Sequence, residues 1–324
     1  MNKKVVVLGG GRSLSILMRG LKLFPIDLTA IVAVSDDGSS TGRLREEFNT
    51  PAVGDLRGVL VSMAETEDLI KDLLEYRFNT TSDLNGHTVG NLIITAMTKV
   101  TGSLSDAIEE LGNVFKIKGN ILPFTEDKVT LIADMSDGSV IEGEHNITEA
   151  HKRIKNIYYK EEPIVTPKVI KAVEEADLII FGIGSLYTSI IPNILSDGMR
   201  KAIAVSKAKK IYICNAMTQS GETDNFKVSD CIKILNKYMK QDFLDAVIAA
   251  NTKIPSSIIE KYKTRESKST ILIDPTEIDE EKVNDLHVEL IQDDLLTISE
   301  EGYVQHDSLK TALLIFNYLM KNSK

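Results

Sequence analysis

Cysteine is scarce: Cys214 and Cys231 are the two in 324 residues, one in an apolar strand-like run and one in a helix-like run. There is no C-x-x-C and no zinc spacing, which excludes a disulfide-stapled secreted fold and leaves buried free thiols in a reducing cytosol. Long apolar runs are missing too. The longest uncharged stretch, Leu178–Ser196, is broken by Gly182, Gly184, Pro192 and Asn193, so it reads as strand, loop and helix, not as a membrane span. The opening Met1–Lys4 runs straight into Val5-Val6-Val7-Leu8, a strand far shorter than a signal-peptide core. These absences predict a cytoplasmic protein with no membrane insertion. No internal repeat or low-complexity linker occurs. No Ser-His-Asp order, H-E-x-x-H, kinase set or obvious pair of acid and base carboxylates stands out either.

What is present is ordinary in bulk and uneven in detail. The chain is 43% hydrophobic and 26% charged, values of a globular protein, and its length suits one large domain or two small ones. With 38 Lys+Arg against 47 Asp+Glu the net charge is −9, which argues against nucleic acid as a partner. The arginines are clustered: six of nine (Arg12, Arg19, Arg43, Arg45, Arg57 and Arg77) fall in the first 77 residues, beside four lysines. The planar guanidinium suits phosphate and carboxylate, so the clustering points to an anion site in the N-terminal third.

Short apolar runs alternate with helical periodicity. Lys4–Leu8, Leu28–Val34, Leu178–Phe181 and Lys210–Cys214 read as buried strands. Ser15–Phe24, Leu56–Met63, Glu67–Tyr76, Val89–Val100 and Ser308–Met320 read as helices. Continuous apolar strands between helices predict an α/β fold with a mostly parallel sheet and helices on both faces. We expect one α/β domain over 1–324 with a small β-rich insertion at about 116–160, turning at Ser136-Asp137-Gly138 and Glu142-Gly143.

In such sheets ligands bind beyond the carboxyl ends of the strands, and the segments following the strands are rich in chemistry. Gly9-Gly10-Gly11-Arg12-Ser13 can bring backbone close to a phosphate at a helix start. It is neither a dinucleotide fingerprint, because Leu14 stands where a third glycine is required, nor a Walker A loop. Asp36 and Asp37 follow the second strand and can take ribose hydroxyls or Mg²⁺, while Ser39, Ser40 and Arg43 supply donors for an anion. Asp55 suits a helix N-cap, and Arg57 in the next turn would be relieved by a bound anion. Gly86-His87-Thr88-Val89-Gly90-Asn91 opens a helix, where His87 can donate to phosphate or shuttle a proton. Gly184, Ser185, Leu186 and Tyr187 form a second cradle after a strand. Asn215, Met217 and Thr218 follow another and can read a base or sugar, while Glu222, Thr223 and Asp224 can cap the helix near Val228.

Taken together, GGG-x-x-LS, DDG-SSTGRLR, GD-LR, GH-x-x-GNL, G-GSLYTSIIPN and N-x-MTQ-x-GETD resemble the CofD-like and YvcK-like family from Lys4 to about Asn317. That family includes 2-phospho-L-lactate transferases and bacterial gluconeogenesis factors, and the last two motifs favour the bacterial branch. The resemblance implies a Rossmann-like fold and a nucleotide-sugar ligand of the UDP-N-acetylglucosamine type. It also implies a link to gluconeogenic growth, cell shape and wall synthesis. The pocket would be lined by Gly9–Ser13, Asp36, Asp37, Asn91, Gly184–Tyr187 and Asn215–Thr218. Transferase members use Mg²⁺ with carboxylates matching Asp36 or Asp37 in position, so a Mg-dependent transferase is the alternative. Partners would be a small phosphorylated ligand and no nucleic acid; a homo-oligomer is compatible with the sequence. Arg12-Ser13 replaces the family's usual Thr-Gly, Gly58 an Asn, and Ile183 and Ser220 each a Pro.

Overall fold

The computed structural model describes residues 2–265 and 274–322. Twelve strands are described. β1 (Lys3–Gly9), β2 (Ile26–Val32) and β3 (Asn120–Pro123) come first, then β4 (Leu131–Met135), β5 (Val140–Glu142) and β6 (Ile154–Tyr159). β7 (Leu178–Phe181), β8 (Lys209–Ile213), β9 (Ala246–Ala250) and β10 (Glu289–Asp293) follow, and β11 (Leu296–Ile298) pairs with β12 (Val304–His306) as a hairpin. Seven strands form one parallel sheet in the order β10-β9-β8-β7-β1-β2-β3. The chain winds outward from β1 in one direction and from β7 in the other, so the strand order reverses between them. The central strands are apolar along their length because both faces are covered.

Helices α1 (Gly11–Leu21), α2 (Ser39–Phe48), α3 (Gly54–Met63), α4 (Asp68–Glu75), α5 (Val89–Thr101) and α6 (Leu104–Val114) lie between β1 and β3, apart from β2 itself. α7 (Glu144–Glu149) sits in the small sheet and α8 (Pro167–Glu174) precedes β7. α9 (Asp197–Val205), α10 (Val228–Met239), α11 (Ser256–Arg265), α12 (Glu280–Asp285) and α13 (Ser308–Lys321) complete the set. In α1, Leu14, Leu17, Met18 and Leu21 are buried at one-face spacing. α1 packs against α3 and α13, and α8 against α9. The approach of α1 to α13 is close: a Cβ on Gly20 would lie 2.0 Å from the Ser308 carbonyl oxygen.

Two expectations shift. The β-rich insertion begins later than 116, because Asn120–Pro123 joins the main sheet, with Thr29 opposite Asn120 and Val32 opposite Pro123. Pro123 is tolerated there because β3 is an edge strand. The antiparallel part is β5-β4-β6 with α7 inside it. The Ser39–Gly42 run, expected to supply donors for an anion, is the first turn of a helix that no periodicity marked. Its helix α2 is anchored by buried Arg45, which donates to the carbonyls of Ser35 (3.0 Å), Asp36 (2.8 Å) and Val129.

Candidate functional site

The glycine turns after β1 and β7 meet where the strand order reverses. At the first, Gly10 is extended and Gly11 has φ +71°, a conformation costly for residues with a Cβ. The Gly11 N–H donates to Asp55 Oδ2 at 2.6 Å. Asp55 is therefore not the N-cap of α3; that position is Val53. Instead Asp55 reaches across to occupy the first free N–H of α1, the place where a ligand anion was expected. A Cβ on Gly10 would fall 2.7 Å from the same oxygen, which explains the residue. Burial, reinforced by Asp36, pushes the Asp55 carboxyl up to about 6, against the pull of the Gly11 N–H. Leu14 packs on Gly9, filling the space a third glycine would leave. Arg12 projects into solvent, 4.0 Å from Glu301.

Asp36 and Asp37 diverge. Asp36 Oδ1 accepts from the Gly38 N–H at 2.9 Å, whereas Asp37 Oδ1 accepts from the His145 N–H at 2.8 Å, tying the loop before α2 to α7. Asp36 instead shares a recess of about 220 Å³ with Asp55, Glu144, Thr188 and Gly11. Glu144 was not foreseen: it lies on α7 with no local motif around it. Burial, with Asp36 beside it, raises its carboxyl to about 8. The donors are oxygens, which suits Mg²⁺ in kind. Among the described residues, however, no group of three or more His, Cys, Asp or Glu is arranged to hold a metal ion, and the Asp36-Asp37 pair forms no chelate.

Ser40, His87, Asn91 and Arg57 join in a largely buried chain. Arg57 Nε donates to Asn91 Oδ1 (3.0 Å), Asn91 Nδ2 to Ser40 Oγ (3.3 Å), and Ser40 Oγ meets His87 Nδ1 (2.9 Å). Burial, with Arg43 nearby, lowers the imidazole's proton affinity. These residues lock α2, α3 and α5 together. Arg43 is exposed, donates to the carbonyls of Asp83 and Asn85, and lines an open groove with Ser39 and His145.

At the second turn, Gly184 has φ +151°. Asn215 clamps it from both sides: its Nδ2 donates to the Gly184 carbonyl at 2.7 Å, and its Oδ1 accepts the Gly184 N–H at 3.4 Å. Ser185 Oγ accepts from the Thr188 N–H at 2.9 Å and donates to the Glu222 carboxylate. Burial raises Glu222 to about 7, opposed by the Ser185 hydroxyl. Leu186 and Tyr187 turn into the core, Tyr187 meeting Tyr238 edge-on. Thr218 Oγ1 is held by the backbone of Asp274. Helix α10 is capped at Lys227, with Asp230 reaching back to the Lys227 N–H, not by the Glu222–Asp224 segment.

Beside this turn lies a cavity of about 330 Å³. Its lining combines Ser13, the Gly184–Ser185 turn, Asn215 and Thr218 with Met217, Tyr262 and Tyr303. The two tyrosines are edge-to-face with centroids 6.4 Å apart, and Tyr262 Oη accepts the Val304 N–H at 2.8 Å, fastening α11 to the hairpin. Neither tyrosine lies near a sequence motif.

The family model described as 2-phospho-L-lactate transferase CofD matches residues 5–296. The chain is 42% identical over 317 residues to a gluconeogenesis factor of Bacillus subtilis, covering 98% of both chains. It is 38% identical to a gluconeogenesis factor of Halalkalibacterium halodurans, covering 96% of this chain and 94% of that one. A crystal structure of a Bacillus halodurans protein superposes with a TM-score of 0.93 at 37% identity, over 98% of this chain and 100% of the other.

Proposed function

The chain belongs to the CofD family, alongside its gluconeogenesis factors, and from that premise we propose that it binds a nucleotide sugar of the UDP-N-acetylglucosamine type. The observation that carries the proposal is the cavity at the reversal of strand order, whose lining brings together a glycine turn and two tyrosines. The two tyrosines suit a base, which stacks on an aromatic ring. The glycine turn and its serines suit a diphosphate. Asp55 takes the Gly11 N–H, so the phosphates would use the next N–H groups of α1, around Ser13, and the Ser185 side. A sensing role in carbon metabolism, cell shape and wall synthesis follows from kinship, not from geometry. Calorimetric titration with a panel of UDP-sugars tests the binding; no heat and no thermal shift across the panel would end the proposal.

One observation favours the transferase alternative: the recess that brings Asp36, Asp55 and Glu144 beside the glycine turn. No step through Mg²⁺ is assigned, since the donors do not form a ready site. If the protein does transfer a phosphate-containing group, Asp36→Asn and Asp55→Asn should abolish turnover. Asp37→Asn should act only through the loop it tethers to α7.

A further inference from the structure

Three of the clustered arginines share one place. On α1, Arg12, Ser15, Ile16 and Arg19 follow the i, i+3, i+4, i+7 spacing of a single helix face. That face lines a groove of about 670 Å³, together with Arg57 and Gly58 of α3 and Gln305–Leu309. Gly58 keeps it open at close quarters, since a Cβ there would lie 2.9 Å from Ser15 Oγ.

The groove's lining carries three arginines (Arg12, Arg19 and Arg57) and three carboxylates (Asp55, Glu75 and Asp307), and all of them but Arg19 are engaged, Arg12 facing Glu301 at 4.0 Å. Asp55 is committed to Gly11, and Asp307 caps α13 through the N–H groups of Leu309 and Lys310. Glu75 stands 3.9 Å from Arg57 Nη1. Arg19 has no hydrogen-bond or ion-pair partner among the described residues. Two neutral polar atoms on the wall are also unsatisfied among the described residues: Ser15 Oγ and His306 Nε2. Their residues are 8% and 4% exposed, and buried polar groups are normally paired.

We propose that this groove is a second ligand site, taking a small phosphate ester that carries hydroxyl groups. The Arg19 guanidinium would take the phosphate, and Ser15, Gln305 and His306 the hydroxyls. The groove lies on the α3 side of α1, whereas the nucleotide-sugar cavity lies on the Gly184 side; Ile16, Gln305 and His306 border both. The site stands independently of the nucleotide-sugar reading.

The test is calorimetric titration of the full chain with glycerol 3-phosphate and with inorganic phosphate, with and without saturating UDP-N-acetylglucosamine. Glycerol 3-phosphate should bind in both conditions, and more tightly than inorganic phosphate. Arg19→Ala and Ser15→Ala should each weaken it by about tenfold, the effect of losing one charge-assisted or ligand-filled contact. Arg19→Ala should leave the nucleotide-sugar titration unchanged. Absence of binding, full competition by the nucleotide sugar, or an affinity untouched by Arg19→Ala would overturn the site. Equal affinity for inorganic phosphate would overturn its assignment to an ester. If the nucleotide sugar itself gives no heat, the Arg19 dependence alone decides, so the two proposals fail separately.

Discussion

Asp55 accepts from Gly11 and Glu222 from Ser185, so each glycine turn already holds a carboxylate of the protein's own. Neither arrangement was legible in the sequence, because the partners are separated by 44 and 37 residues. Each carboxylate is desolvated by its setting, and this has a consequence for stability. Glu222 is 4% exposed and titrates at about 7, against about 4.3 in an unfolded chain. The native state therefore holds its proton more tightly. The stabilisation this gives is complete below the unfolded value and is lost as pH rises through about 7. Glu222→Gln can still accept from Ser185 and never ionises. It should match the wild type near pH 4 and exceed it by up to about 3 kcal/mol near pH 8. Urea denaturation at both pH values checks this; a difference independent of pH would remove the assigned cause.

Among the elements, those with a continuous apolar run or a clear helical period were legible: β1, β7, β8, α3, α4, α5 and α13 lie where periodicity puts them, while β2 and α1 begin two and four residues ahead of the runs Leu28–Val34 and Ser15–Phe24. α2 was not. Its sequence, Ser39–Phe48, has little apolar content, and what holds it is polar: Arg45 on three carbonyls and Ser40 in the chain from His87 to Arg57. The hairpin β11–β12 and α11, which bring the tyrosines to the cavity, also lack a local signal. The seam between α1 and α13 gives a prediction at this scale. Alanine normally improves a helix interior relative to glycine by about 1 kcal/mol. At Gly20 the added Cβ would meet the Ser308 carbonyl at 2.0 Å. Gly20→Ala should instead destabilise by about 1–3 kcal/mol, as overpacking does, seen as a lowered Tm; a raised Tm would mean the seam is looser than described.

In the whole molecule, the winding of one parallel sheet in two directions from β1 and β7 fixes where loops from distant parts of the chain converge. Among the described residues no helix is long and apolar enough to cross a membrane. A net charge of −9 coexists with a groove lined by three arginines and three carboxylates, so the global balance does not set the character of a site. The clamp by Asn215 should matter at this scale, since it joins the end of β8 to the turn after β7 at the mouth of the cavity. Asn215→Ala should keep the fold while loosening that turn. The most direct measurement is therefore calorimetric titration of UDP-N-acetylglucosamine into the wild type and Asn215→Ala. One saturable event per chain is expected in the wild type, weakened about tenfold or more in the variant. Absence of binding in the wild type, or identical binding in both, would contradict a nucleotide-sugar site at the reversal of the sheet.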